Sequence, residues 1–151
     1  MVDDRPMCAD MFIDLEDDPR PDPGPRADER TTLVEFLRWQ RGTLELKCVD
    51  LSPEQLAARA VEPSSMSLLG LVRHMADVEQ GWFREFVTGQ QVTAHFDTDA
   101  NRDAASDGAV ATPECVEEAW QLLRQVVDCA LPRRTGSDTQ QRQPLTMTTS
   151  Y

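Results

Sequence analysis

The sequence predicts an all-α domain, on three observations. Apolar residues recur at three- and four-residue spacing in three long segments, and helix-opening residues stand just ahead of each. No stretch alternates apolar and polar residues as a half-buried strand would. A chain of 151 residues is the size of one domain, so one core is expected.

Residues 1–27 hold five prolines among many aspartates and should form a flexible acidic leader. A first helix starts at Asp28, whose carboxylate can cap free backbone donors, and runs to about Val49. Leu33, Phe36, Leu37, Leu44 and Cys48 form its apolar stripe. Ser52-Pro53-Glu54-Gln55 combines a capping serine, a proline at the first helical position and a glutamine at the third, so a short helix follows over 53–59.

The strongest pattern lies in 68–88, with Ser67 as cap and Gly89 placed to close the helix in a left-handed turn. Leu68, Leu71, Val72, Met75, Val78, Trp82 and Phe86 project as one stripe. Burying it would contribute on the order of 10 kcal/mol before entropy is charged. Residues 90–111 are polar and without period, and read as a long connection. Thr112-Pro113-Glu114 opens a last helix to about Ala130, with Val116, Ala119, Trp120, Leu123, Val126 and Val127 inward. Pro132 ends it, and 132–151, rich in glutamine, serine and threonine, is expected to be a disordered polar tail. The domain proper is thus 28–131.

Fifteen Lys and Arg stand against 27 Asp and Glu, and a net charge of −12 repels a phosphate backbone, so nucleic acid is excluded as a partner class. No apolar run approaches the ~20 residues of a membrane span, and the N-terminus does not read as a signal peptide. A cytoplasmic protein is expected. Cys8, Cys48, Cys115 and Cys129 form no C-x-x-C pair, which suits reduced thiols, and the fourteen-residue interval between Cys115 and Cys129 suggests packing on one face.

Only His74 and His95 can supply imidazole chemistry. His74 falls at the edge of the apolar stripe, where a side chain reaches either a packing partner or a cleft between helices. His95, beside Phe96 and Asp97 in the connection, reads as a solvated loop residue. Glu79 lies within the stripe, where a charge needs an arginine, a helix end or a ligand. Asp77 projects away and should be solvated. Trp39, Trp82 and Trp120 read as core aromatics on separate helices.

The run from Asp28 through Cys48, the stretch Leu51-Ser52-Pro53-Glu54-Gln55-Leu56, and Ser67-Leu68-Leu69-Gly70-Leu71-Val72-Arg73-His74 with Val78-Glu79 and Trp82-Phe83 after it resemble an actinobacterial branch of the DinB-like superfamily. Its relatives include mycothiol-dependent maleylpyruvate isomerases and thiol-dependent S-transferases. The resemblance implies an up-down four-helix bundle holding zinc or nickel on three histidines. His74 corresponds to one; the others belong to an H-x-x-x-H pair on a last helix, for which this sequence has no counterpart, since Pro132 to Tyr151 contains no histidine.

A lone imidazole holds a divalent ion weakly. The expectation is therefore a DinB-like protein descended from metal- and thiol-dependent transferases or isomerases, inactive alone, with His74 the remaining metal-ligand position and a low-molecular-weight thiol as its partner. The abrupt passage to a polar tail has the character either of a truncated or frameshifted reading or of a diverged natural tail. Helices left without a fourth partner would favour a homodimer, so a non-enzymatic dimerisation or interaction module is the alternative.

Overall fold

The computed structural model describes residues 13, 17–21 and 28–130. The expected polar tail at 132–151 lies outside these, as does most of the leader. The chain divides into two compact units, Met1–Asp50 and Leu51–Tyr151. Among the described residues every regular element is helical, as the all-α reading expects.

The first unit is built on α1, Glu29–Cys48. Asp28 caps it: its Oδ1 accepts the Thr31 N–H at 3.0 Å and its Oδ2 the Thr31 hydroxyl at 2.8 Å. Lys47 lies in the last turn, where a cation suits the negative end of the helix dipole. Residues 17–20 of the leader are fastened to this helix. The Arg20 guanidinium grips the Asp18 carboxylate, donates to Thr43 Oγ1 at 2.6 Å and lies 4.4 Å from the centre of the Trp39 ring. Gly42 makes room, since a Cβ there would sit 3.2 Å from Arg20 Cγ. Of the expected stripe Cys48 is buried, whereas Leu33 and Phe36 are exposed.

The second unit opens with α2, Pro53–Ala57, and its capping box is fully formed. Ser52 Oγ accepts the Gln55 N–H at 3.3 Å, and Gln55 Oε1 accepts the Ser52 N–H at 2.8 Å. Next comes α3, Leu68–Gln80, with Ser67 Oγ accepting the Gly70 N–H at 3.0 Å. The chain then winds wider through a π-helical segment, Gly81–Phe86, and Val87 donates to Trp82 O at 3.0 Å. Gly89, at φ +70°, closes the element as expected. The connection contains one further short helix, α4, Ala104–Asp107, before α5, Pro113–Ala130.

Helix α3 is central and packs against α5, α4 and α2. Leu69, Val72 and Ala76 are fully buried, joined by Ala119, Leu123 and Val126 of α5, Ala105 of α4 and Leu56 of α2. The inward face of α5 is the one its spacing predicts. That of α3 is not. Leu69, Gly70, Val72, Arg73, Ala76, Glu79 and Gln80 are buried, a face turned roughly 100° from the apolar stripe. Leu68, Leu71, Met75 and Val78 are only half-buried, while Trp82 and Phe86 are exposed at 58% and 77%.

The reason is that the connection offers backbone carbonyls to polar side chains of α3. Arg73 Nε donates to Ala105 O at 2.8 Å and Gln80 Nε2 to Thr93 O at 2.6 Å, so these residues go inward with their polar groups satisfied. Cys129 is also exposed rather than packed, whereas Cys115 is half-buried.

Candidate functional site

Three consecutive turns of α3 moor the connection, and the site forms between them and it. Asp77, expected to be solvated, instead accepts three backbone N–H groups: that of His95 on Oδ1, and those of Phe96 and Asp97 on Oδ2 at 3.0 and 2.9 Å. A carboxylate suits this task because it is acceptor-only with two oxygens. One turn earlier the Arg73 guanidinium lies 3.8 Å from the centre of the Phe96 ring, 3.9 Å from Glu118 and 3.6 Å from Cys115 Sγ.

Clasped in this way, Asp97 turns its carboxylate two ways. Oδ1 accepts the Ala105 N–H at 2.9 Å at the start of α4, and Oδ2 faces His74 Nδ1 at 3.5 Å. The His74 side chain is half exposed and opens on a cleft of about 140 Å³ lined by Met66, Leu71, Arg102, Asp103, Ala105 and Ser106. A half-exposed imidazole with a carboxylate on its Nδ1 side and free space before it can accept and return a proton.

His95, as expected, is an exposed residue of the connection; its ring tilts toward Phe96 at 6.3 Å. Glu79, within the stripe by its spacing, is buried at 3% exposure, and with Val72 it marks the edge that the stripe shares with the buried face of α3. Trp82 meets Phe86 edge to face at 5.1 Å, and these two rings with Val78, Gly81 and Glu85 line an open hollow of about 380 Å³. Trp120 is half-buried under Arg124, 5.5 Å from the ring centre.

A zinc or nickel ion would need three or four donors converging on one point. Among the described residues no group of three His, Cys, Asp or Glu gathers in that way, and His74 meets one carboxylate. Among the described residues the donors do not fit the three-ligand site that the DinB-like resemblance implies.

Asp97, Arg102 and Ser106 lie in the connection, where no period marks a residue. The one local signal for them was the density of Asp and Asn over 97–107, which also reads as a solvated loop.

A family model described as Mycothiol-S-transferase matches residues 32–149. The chain belongs to the mycothiol-S-transferase family. Membership of this DinB-like family agrees with the resemblance carried by the Ser67–His74 string. The match also runs through 131–149, beyond the described residues. Among curated proteins and among solved structures nothing matches. No helix of the described residues is long and apolar enough to cross a membrane.

Proposed function

We propose that this mycothiol-S-transferase family member keeps the proton-handling end of a thiol-transfer site and, alone, works it feebly. The observation that carries the reading is the juxtaposition of His74 and Asp97 at the mouth of a cleft. Asp97, pinned through its own backbone by Asp77 and through its Oδ1 by Ala105, orients the imidazole. His74 takes the proton of a low-molecular-weight thiol; the thiolate attacks an electrophilic carbon, forming the S–C bond as the leaving group departs with the pair of electrons it shared. The imidazolium returns the proton to that leaving group. General-base help of this kind contributes roughly 10²–10⁴-fold. A reducing cytoplasm, where such thiols are abundant, suits the free Cys48, Cys115 and Cys129.

Incubation with mycothiol and an electrophilic fluorogenic acceptor tests this. Adduct should form slowly above background, fall about a hundredfold in His74→Ala and about tenfold in Asp97→Asn, with far less than one metal ion per chain. Equal rates in the native protein and His74→Ala sink the proposal.

A second reading is favoured by the exposure of Trp82 and Phe86 around their hollow. Exposed aromatics at one patch mark contact surfaces, and a second copy of the chain is the simplest occupant. Sedimentation distinguishes it: a dimer that becomes monomeric in Trp82→Ser/Phe86→Ser, with no thiol transfer, supports the non-enzymatic module.

A further inference from the structure

We infer that the cleft beside His74 captures a small monocarboxylate, with Arg102 as its anion-binding residue. The inference rests on reading His74 as the reactive end of the site and names the class of molecule that end would act on. Arg102 lines the cleft and its guanidinium meets no partner among the described residues, although two acids of the same connection are engaged elsewhere: Asp107 by Arg59 and Asn101, Asp97 by the Ala105 N–H. A planar fork of N–H donors left open at a cleft wall matches the two oxygens of a carboxylate. Ser106, on the same wall, carries a hydroxyl that no described residue hydrogen-bonds, and can donate to one of those oxygens.

The remaining walls specify the rest of the molecule. Met66 and Leu71 give an apolar side suited to a short acyl chain. A volume of about 140 Å³ is close to that of a cavity that takes a benzene-sized guest, so a molecule of a handful of non-hydrogen atoms fits. Asp103 beside Arg102 and Asp97 at the His74 end leave the cleft no positive charge for a second carboxylate, so a dicarboxylate of the same length is disfavoured. Bound with its carboxylate on Arg102, the guest would present its other end toward His74.

Butyrate is the probe, titrated against the full ¹⁵N-labelled chain with no thiol or metal added, so that the result is independent of transfer chemistry. Saturable shifts of the Ser106 and His74 signals at millimolar butyrate are expected, with butyramide and succinate markedly weaker. Arg102 is exposed, and Arg102→Gln should keep the native spectrum while weakening butyrate about tenfold. The inference is overturned if butyramide shifts the same signals as strongly, if Arg102→Gln binds unchanged, or if butyrate gives no saturable shift.

Discussion

Asp77 holds Phe96 by its backbone: Oδ2 accepts the Phe96 N–H at 3.0 Å, so a carboxylate on α3 fixes a peptide of the connection 19 residues later. The neighbouring N–H groups of His95 and Asp97 converge on the same side chain. Removing it strands three donors at once. Asp77→Ala should cost about 2–4 kcal/mol in chemical denaturation and speed amide exchange at Phe96 and Asp97, given that a hydrogen bond to a charged group contributes roughly 1.5–3 kcal/mol. Unchanged exchange there would remove Asp77 from its mooring role.

Gly70 lies in the first turn of α3, its N–H capped by Ser67, and alanine in a helix is ordinarily favoured over glycine by up to about 1 kcal/mol. Here an added Cβ would stand 3.0 Å from Ser106 Cα and 3.2 Å from both Ser106 Oγ and Ser67 Oγ. Backbone yields less readily than a side-chain tip, so Gly70→Ala should lower stability by about 1–2 kcal/mol. A rise in the melting midpoint would show that α4 can retreat.

Arg73 is 8% exposed and uses the breadth of its guanidinium, on Ala105 O, on the Phe96 face and toward Glu118. A lysine carries the charge but neither the fork nor the plane. Arg73→Lys should therefore lose about 2–3 kcal/mol, close to the loss in Arg73→Met. Thermal melts of the pair, compared side by side, decide between shape and charge.

The Arg20 guanidinium holds the Asp18 carboxyl down at about 2, from an ordinary 3.8, through its side-chain and backbone hydrogen bonds. A depressed folded value means that the stabilisation is complete above the unfolded value and is lost as pH falls through the folded one. The Arg20 Nε–H resonance should keep its position from neutral pH to about 4 and move only as pH approaches 2. Release above pH 4 would contradict the clasp.

Burial pushes the Cys48 thiol up to about 11, whereas Cys129 is exposed. Since the thiolate is the reactive form, iodoacetamide at mildly alkaline pH should label Cys129 well before Cys48, by about tenfold or more, until denaturant is added. Peptide mapping by mass spectrometry reads the order directly.

What was legible in the sequence follows from how local each interaction is. The caps at Asp28, Ser52 and Ser67 and the left-handed Gly89 depend on bonds spanning a few residues, so their positions could be read off the chain. The inward face of α5 was equally plain, because its burial is apolar throughout. The buried face of α3 is not legible from periodicity, because Arg73 and Gln80 go inward to carbonyls of Ala105 and Thr93 that no spacing announces. His74 was singled out at the edge of a stripe, yet its partner Asp97 and the cleft residues Arg102 and Ser106 belong to an aperiodic stretch, and the segment 17–20 gave no compositional sign of its grip on α1.

The mooring of the connection has a consequence for how the cleft can vary. Arg73, Asp77 and Gln80 all stand within three turns of the helix that also bears His74, so both walls of the cleft are referred to a single rod. Sway of neighbouring helices carries the backbone that bears the imidazole and the backbone that bears its facing acid together, as long as those three ties hold.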